Sequence, residues 1–440
     1  MKGKYRLMLL LILAALILSG CAMRTVEDMY RLPKRSEDYR DLQSVIDNAM
    51  VGMEYCAPLT GENQQTVQMA DLDGDGIDEY LLFAKCSQEK PLRILIFSKD
   101  GDSFTHFDTI ESNGSAFDQV EYAQMDNRKG MEIVVGCQLS DKVLRTVSIY
   151  TMVDRKHTQA VTANYTKFLT ADMDGDSLAE LFLLHPGIAD SDNGIAELYT
   201  MKSGNVERLN EVNMSQPADK LKRMVLGKLD GGKTAVYVAS TVGDTALITD
   251  VYTLANNKLA NVTLSNESGT SIKTMRNFYI FADDIDNDGI VELPGLISMR
   301  PVSGVMPADM HHLIRWYAMT PNGDEVNKLY TYHNFAGGWY MQLSEKLANR
   351  LVAISIGNQT EIYLWDKKYE KADKLLTIYG FSGQNREEQA LADGRFILHK
   401  TDAIVYAAAL EEIATEYGLT NENVVYSFRM IQHDWKTGET

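Results

Sequence analysis

The stretch ADLDGDGIDEYLLF at residues 70–83 decides the fold class of this 440-residue chain, because the chain repeats it. Close copies are ADMDGDSLAELFLL at 171–184 and ADDIDNDGIVELPGL, which begins at Ala282. Weaker copies are AQMDNRKGMEIVVG at 123–136 and GKLDGGKTAVYVAS at 227–240, and two outlines lie at 343–355 and 398–409. Repeats at a fixed period indicate a protein built from similar structural units. Aligned on the first loop position, the copies start near residues 71, 124, 172, 228, 284, 342 and 397.

The segments between these loops are short apolar or alternating runs separated by turn residues. One of them, RILIFSKDGDSFTHFDTI at 93–110, carries a hairpin turn signal at Lys99–Asp102. A loop followed by about four short strands, repeated at about 50–60 residues, is typical of a β-propeller blade. A β-solenoid needs a shorter period, and a helical array needs long stretches of 3.6-residue periodicity that this chain lacks. We therefore predict an all-β propeller over residues 53–440 with seven blades, six or eight being the alternatives.

Two segments outside the repeats have helical character. Residues 36–52 are predicted to form an amphipathic helix, since Ser36 is a suitable N-cap and Leu42, Ile46 and Met50 share one face. Near the other end, AAALEEIATEY at 407–417 predicts a helix that Gly418 closes. The run VVYSFRMIQ then reads as a final strand, so the helix is interpreted as an insertion in the last blade.

The first 21 residues have the features of an export signal. Basic residues at positions 2, 4 and 6 precede an apolar run from Leu7 to Leu18, which is short for a membrane span. The run ends in Leu18-Ser19-Gly20-Cys21, which resembles the lipobox of bacterial lipoproteins. The resemblance implies removal of residues 1–20, diacylation of Cys21, a polar tether over 21–35 and a domain anchored outside the cytoplasm. A plain signal peptide or short anchor with an incidental cysteine is the alternative.

The amino-acid composition indicates which classes of partner the protein can bind. The chain has 43 Lys+Arg against 61 Asp+Glu, a formal charge of −18, and is 45% hydrophobic, which is ordinary for a folded protein. Its acidity argues against a nucleic-acid partner, which needs clustered basic residues, and favours cations. Cys56 and Cys86 could form a disulfide in an exported protein, which would leave Cys137 unpaired.

The three close copies present oxygen ligands at the spacing of a divalent cation site. In the first loop, Asp71, Asp73 and Asp75 occupy positions 1, 3 and 5, Ile77 offers its backbone carbonyl at position 7, and Glu79 fills position 9. A hard cation such as Ca²⁺ takes six to eight such oxygens, and the loop glycines permit the sharp turn. The corresponding positions of the other two loops are Asp172, Asp174, Asp176, Leu178 and Glu180, and Asp284, Asp286, Asp288, Ile290 and Glu292.

This D-x-D-x-D-G-x-x-[D/E] pattern before an apolar strand resembles the calcium loops of FG-GAP and VCBS repeat proteins. The resemblance implies a propeller like the integrin α-subunit head, with about three structural Ca²⁺ ions held by the residues just named. The sequence departs from the family pattern in two ways. Position 9 is a glutamate where the family often has aspartate, and Ser177 replaces a turn glycine in the loop at 172–180. The serine predicts that this loop is the weakest of the three sites. The loops containing Asp126 and Asp230 lack acids at positions 1 and 5, so no metal is predicted there. Acidic turns without a specific ion are the alternative for all three loops.

No catalytic signature such as HExxH, GxSxG or a P-loop occurs in the chain, so a non-enzymatic role is expected. The segment from Arg315 to Tyr340 is the richest in aromatic residues, and Phe335 and Trp339 flank a predicted turn. Exposed aromatic side chains there would bind a protein or glycan partner, whereas strand alternation would place them in the core. The alternatives to a binding protein are a surface polysaccharide lyase or glycoside hydrolase, and a structural component of the envelope.

Overall fold

A computed structural model of the protein describes residues 37–101, 103–139, 144–189, 192–299, 311–366 and 371–431. The predicted signal peptide, Cys21 and the tether lie outside these ranges. No helix within them has both the length and the apolar character needed to cross a membrane. The described residues form an all-β structure of six antiparallel sheets with a few short helices.

The first three sheets are each built from consecutive strands. Sheet 1 contains β1 (Met53–Tyr55), β2 (Val67–Ala70), β3 (Glu79–Cys86), β4 (Leu92–Asp100) and β5 (Ser103–Ser112). Sheet 2 contains β6 (Ala116–Ala123), β7 (Glu132–Gln138), β8 (Arg145–Val153) and β9 (Lys156–Tyr165). Sheet 3 contains β10 (Lys167–Ala171), β11 (Glu180–His185), β12 (Ile195–Lys202) and β13 (Asn205–Asn213).

The remaining sheets follow the same plan until the C-terminal part. Sheet 4 contains β14 (Leu221–Lys228), β15 (Thr234–Val242), β16 (Ala246–Ala255) and β17 (Lys258–Asn261). Sheet 5 contains β18 (Glu292–Ile297), β19 (His311–Met319), β20 (Glu325–Asn334), β21 (Trp339–Leu343) and, from much later in the chain, β27 (Phe428–Met430). Sheet 6 contains β22 (Leu351–Ile356), β23 (Gln359–Asp366), β24 (Lys371–Ser382), β25 (Phe396–Lys400) and β26 (Ile404–Leu410).

Helical elements cap or connect the sheets. The α-helices are α1 (Glu37–Ala49), α2 (Glu345–Ala348), α3 (Arg386–Leu391) and α4 (Asn421–Ser427). Short 3₁₀ helices span Ala218–Lys220, Ile272–Thr274, Ala392–Gly394 and Glu412–Tyr417. Helix α1 packs on sheet 1, where Ile46 is buried against Leu82 and Phe97, and Asp41 accepts a hydrogen bond from the amide of Phe104.

The strands differ in sequence according to how they are covered. The inner strands β4 and β15 are mainly apolar and almost entirely buried, whereas the outer strands β9 and β13 consist almost entirely of exposed and partly buried positions. Hydrophobic clusters join each sheet to the next one in the chain, through contacts such as Phe83 with Phe117, whose ring centroids are 5.1 Å apart. The sheets therefore pack face to face in chain order.

The described residues form six sheets, where seven blades were predicted with six or eight as alternatives, and the two weakest anchors do not each begin a sheet. The outline at 343–355 covers α2 and β22, and the outline at 398–409 covers parts of β25 and β26. Both segments therefore serve sheet 6. The described cysteines, Cys56, Cys86 and Cys137, are all free thiols.

The predicted helix at 407–417 and the predicted strand after it are both wrong in part. Residues 404–410 form β26, which lies between β24 and β25, and Ala407 and Ala408 are fully buried there. Burial in a central strand outweighs the intrinsic helix preference of alanine. Only Glu412–Tyr417 is helical, as a 3₁₀ turn that Gly418 ends with a φ of 77°. Residues 421–427 form α4, and the strand β27 pairs with β21 of sheet 5.

Candidate metal centres

Each of the three acidic loops leads into a buried strand of its sheet. The loop at 71–79 connects β2 to β3, the loop at 172–180 connects β10 to β11, and the loop at 284–292 leads into β18. In all three, the residue before position 1 pairs across the strands with the position-9 glutamate, as Ala70 does with Glu79. This shared register fixes both ends of the loop and brings the intervening carboxylates to one side.

The position-1 aspartate organises the turn. Asp71 accepts hydrogen bonds from the amides of Gly74, at 2.7 Å, and Gly76, at 3.0 Å. Gly74 and Gly76 have φ values of 74° and 87°, a left-handed backbone that glycine adopts without steric cost. Asp172 accepts equivalent bonds from the amides at positions 4 and 6 of its loop, and Asp284 accepts them from positions 5 and 6.

The structure brings together the carboxylates at positions 1, 3 and 9 of each loop. In every case the potential ligand oxygens of the three side chains lie within 4.8 Å of one another. The three acidic triples are Asp71, Asp73 and Glu79; Asp172, Asp174 and Glu180; and Asp284, Asp286 and Glu292. These distances suit simultaneous coordination of one cation.

Position 5 lies outside the triples. The Oδ1 atom of Asp75 accepts the amide of Ile77 at 2.7 Å, and Asp176 and Asp288 make the same bond to the position-7 amides of their loops. The aspartate thereby closes a local turn with its own backbone. The carbonyl ligands expected at Ile77, Leu178 and Ile290 stay predictions.

The position-9 glutamate has a double role that the sequence left open. One oxygen of Glu79 accepts the amide of Leu72 at 2.8 Å, and Glu180 and Glu292 bind the position-2 amides of their loops in the same way. The oxygen that does not take part in this bond is Oε1 in each of the three glutamates. In Glu292, which is fully buried, this Oε1 atom has no hydrogen-bond partner within the described residues. A buried carboxylate oxygen without a donor is costly, and a bound cation would satisfy it.

Burial and the loop aspartates disfavour ionisation of the three position-9 glutamates. Burial, followed by repulsion from the loop aspartates, raises the pKa of Glu79 and of Glu180 to about 7 and the pKa of Glu292 to about 8. Burial and the neighbouring aspartates also raise the pKa of Asp174 and Asp286. A divalent cation would reverse these shifts because it favours the charged carboxylates.

Access and neighbouring charge differ between the loops. Asp174, Asp176 and Glu180 line a cavity of about 370 Å³ that Asn127 and Lys202 also border. The third loop instead has a lysine beside it, since Lys328 Nζ lies 3.0 Å from Asp288 Oδ2 and 3.5 Å from Asp230 Oδ1. Lys328 neutralises part of the third loop and competes with an ion for Asp288.

The two weaker loops contain no acidic triple within the described residues. In the loop at 228–236, Asp230 has no acidic companion at positions 1, 5 or 9. In the loop at 124–132, Asp126 and Glu132 are both buried, and the Arg128 side chain pairs with them. Glu132 was not among the predicted site residues, although it occupies position 9 when this loop is aligned with the acidic loops.

Backbone hydrogen bonds connect successive loops. The position-8 amide of one loop donates to the position-1 carbonyl of the preceding loop: Met131 to Asp71 at 3.0 Å, Ala179 to Gln124 at 2.8 Å, and Val291 to Lys228 at 3.1 Å. The loops are therefore part of the junctions between adjacent sheets. An ion that rigidifies a loop would also stabilise the packing of neighbouring sheets.

Replacing Ser177 with glycine should tighten the second acidic loop. Ser177 has a φ of 72°, a conformation that costs a residue with a side chain about 1–2 kcal/mol. Glycine removes that conformational cost from the folded state, but it also increases the entropy of the unfolded chain, which opposes folding. We therefore expect Ser177→Gly to stabilise the folded protein by only about 0.5 kcal/mol. Calorimetric titration should show tighter calcium binding at this site alone. Unchanged affinity in the Ser177→Gly protein would mean that the backbone is not what weakens the site.

The two aromatic candidates differ from the surface pair that the sequence suggested. Trp339 is 3% exposed, because its ring packs against Tyr332 and Phe428 in the core between sheets 5 and 6. This burial favours the core position that strand alternation offered as the alternative for Trp339. Phe335 is half-buried beside His312 and His333.

One edge of Trp339 nevertheless lines a cleft of about 240 Å³ between sheets 5 and 6. The cleft residues are uncharged: Asn334, Ala336, Gly337, Trp339, Ser355, Gly357, Asn358, Gln359, Thr360, Ile378, Tyr379, Gly380, Ile404 and Tyr406. The indole N–H of Trp339 has no acceptor among the described residues, and it lies beside Gly337 at the cleft. A buried aromatic residue thus presents an unused donor to this opening.

No protein-family model and no curated protein matches the chain. Among solved structures, the exotype rhamnogalacturonan lyase YesX aligns with 74% of this chain and 68% of its own, at 12% identity and a TM-score of 0.29. Rhamnogalacturonan lyase YesW aligns over 73% and 60%, at 13% identity and 0.30. A rhamnogalacturonan lyase of Bacillus licheniformis aligns over 80% and 84%, at 12% identity and 0.30. At TM-scores of 0.30 or less, these similarities assign neither a fold nor an activity to this chain.

Proposed function

We propose that this protein is an exported, lipid-anchored binding protein whose sheets form a calcium-stabilised β-propeller of the FG-GAP/VCBS type. The observation that carries the calcium role is the recurrence of one acidic triple, with the same backbone frame, in three loops. The unpartnered Oε1 atom of buried Glu292 supports it independently, because that oxygen requires a donor or a cation. Six sheets of four or five strands, packed in chain order, are consistent with propeller blades.

The proposed ions act on stability. Each would be held by the position-1, -3 and -9 carboxylates, with the position-5 aspartate and the position-7 carbonyl completing the oxygen shell. The loops are hydrogen-bonded to one another across sheet junctions, as Asp71 is to Met131, so ordering one loop supports the contact between two sheets. Calcium is favoured over softer metals because all these ligands are oxygens.

The lipid anchor rests on the sequence around Cys21 and has a direct test. Wild-type protein expressed in a bacterium should incorporate labelled palmitate and sediment with membranes. The Cys21→Ser variant should incorporate no palmitate, and it should no longer be held on membranes by a lipid. Equal labelling of both proteins would rule out lipidation at Cys21.

The cleft beside Trp339 is the proposed ligand site, and its chemistry favours a neutral sugar. The chain is acidic overall, yet the cleft carries no charge, so neither an anionic glycan nor a charged peptide finds a counter-charge there. Its amides and hydroxyls, together with the Trp339 indole N–H, supply the hydrogen bonds that sugar hydroxyls need. At about 240 Å³ it is smaller than typical pockets of ~300–1,000 Å³, which fits a terminal sugar unit.

Two substitutions test this ligand site while keeping an aromatic ring at position 339 of the core. Gln359→Ala deletes a lining amide that makes no hydrogen bond to the described residues, and Trp339→Phe removes the indole N–H while keeping a ring. On an array of neutral and acidic glycans in calcium buffer, each variant should bind the selected neutral glycan about tenfold more weakly than wild type, a loss of ~1.4 kcal/mol. Lys129→Met is the control, because Lys129 is exposed and does not line the cleft. Gln68→Ala would be unsuitable, because Gln68 is buried. A wild-type protein that binds no neutral glycan, or binds a protein instead, contradicts the assignment.

A further inference from the structure

The loop at 124–132, between β6 and β7, keeps the backbone frame of the three acidic loops. The Met125 amide donates to Glu132 Oε2 at 2.9 Å, as the position-2 amides do in those loops. The Arg128 amide donates to Asp126 Oδ1 at 2.8 Å, which is the turn that the position-3 aspartates of the three acidic loops make. Ala123 also pairs with Glu132 across the strands. Two members of the acidic triple are therefore present in their usual frame.

The difference is the residue at position 5, where an arginine replaces the aspartate. Arg128 Nε donates to Asp126 Oδ2 at 2.8 Å, and its Nη2 lies 3.5 Å from Glu132 Oε1 and 2.7 Å from Thr151 Oγ1. The side chains of Asp126 and Glu132 are 1% and 5% exposed, whereas that of Arg128 is 34% exposed. Buried carboxylates require a cation, and here the guanidinium bridges both.

Position 1 of this loop has also changed in a way that suits a guanidinium in place of a metal ion. Position 1 holds Gln124 instead of aspartate, and its side-chain amide donates to the backbone carbonyls of Asp126, at 2.7 Å, and Arg128. The loop thus has two fewer acids than the three acidic loops, at positions 1 and 5. The Gln124 side chain donates to backbone carbonyls, whereas a position-1 aspartate accepts from backbone amides. Asp126 Oδ2 also accepts the amide of Gly204, at 2.7 Å, from the β12–β13 turn of sheet 3.

We propose that the loop at 124–132 is a fourth cation site in which the Arg128 guanidinium takes the place of the metal ion. The contact between this loop and sheet 3 then holds without calcium, while the three acidic loops depend on it. Removing the guanidinium exposes a latent site that takes a divalent cation. This last step rests on the proposed calcium role of the other loops; the ion-pair role of Arg128 does not.

The first test compares melting temperatures of the full chain in EDTA. Arg128→Met removes the charge and keeps the length of the side chain, so it should lower the melting temperature by roughly 5 °C. Lys129→Met, at an exposed neighbouring position, is the matched control and should shift it by less than about 1 °C. Equal melting of the two variants would overturn the role of Arg128.

The second test uses calcium alone as the probe. By titration calorimetry, Arg128→Met should bind one equivalent more than wild type, and calcium should raise its melting temperature more than that of wild type. The double variant Gln124→Asp/Arg128→Asp restores the full acidic set and should bind the additional ion at least tenfold more tightly. If Arg128→Met does not fold in EDTA, calcium-dependent folding of the double variant decides the question. No additional equivalent in either variant would overturn the latent site.

The outcomes separate the two proposals. A wild-type protein that takes up no calcium, together with a destabilised Arg128→Met in EDTA, would contradict the proposed calcium function and leave the guanidinium role standing. A wild-type protein that binds three ions, together with an Arg128→Met variant that behaves like Lys129→Met, would contradict only the inference about Arg128.

Discussion

Chelation of calcium should lower the melting temperature of this protein by about 5 °C. At ~1 mM calcium and a dissociation constant of ~0.1 mM, each occupied loop stabilises the fold by about 1.4 kcal/mol. Three loops together give about 4 kcal/mol, and the entropy of unfolding expected for a chain of this size converts that energy into about 5 °C. The shift should be measured by calorimetry or circular dichroism in calcium and in excess EDTA.

Variants in the acidic triples provide the control for chelation. Asp73→Asn, Asp174→Asn and Asp286→Asn each remove one charged ligand at position 3 while keeping the size of the side chain. Each single variant should lose about a third of the EDTA effect, and the triple variant should melt at the same temperature with and without calcium. An EDTA shift that persists in the triple variant would place the ions elsewhere in the protein.

Replacing Gly130 with alanine should destabilise the junction between sheets 1 and 2 by about 3 kcal/mol. Gly130 has a φ of 92°, and a Cβ atom there would lie 2.2 Å from the carbonyl oxygen of Leu72 in the first loop. The left-handed backbone costs about 1–2 kcal/mol and the overlap with backbone atoms adds a similar amount. Because Leu72 holds Glu79 through its amide, Gly130→Ala should also weaken calcium binding in the first loop.

Gly231→Ala is the matched control for the backbone component. Gly231 has a φ of 97°, but a Cβ atom there would meet nothing within 4 Å. We expect this variant to lose only about 1 kcal/mol, with no change in calcium affinity at the first loop. Thermal melts and calcium titrations of the two variants side by side measure both effects. Equal losses in the two proteins would show that the loops at 71–79 and 124–132 do not approach each other as described.

The sequence was most informative where chemistry and local geometry coincide. The D-x-D-x-D-G pattern constrains the turn, because Asp71 binds the amides of the glycines that follow it, and the apolar run after Glu79 can be buried only as a strand. The same local rules made positions 1, 3 and 9 identifiable from spacing alone. The amphipathic pattern of residues 36–52 likewise predicted a helix where α1 lies, with Ile46 in the contact.

Features that depend on distant partners could not be found in this way. Ala407 and Ala408 favour a helix locally, yet lie in a central strand because β24 and β25 enclose them. Local pattern does not show that the two weakest anchors serve one sheet, nor that β27 joins sheet 5 from 85 residues beyond the end of β21. Trp339 is covered by Phe428, a contact that no local pattern indicates.

The most direct test of the central claim is calorimetric titration of calcium into the EDTA-treated protein lacking residues 1–21. We expect about three equivalents in wild type, with one equivalent lost in each of Asp73→Asn, Asp174→Asn and Asp286→Asn. Absence of binding heat, with an unchanged melting temperature on addition of calcium, would show that the acidic loops are turns without an ion. The resemblance to calcium-binding propeller repeats would then have no functional support.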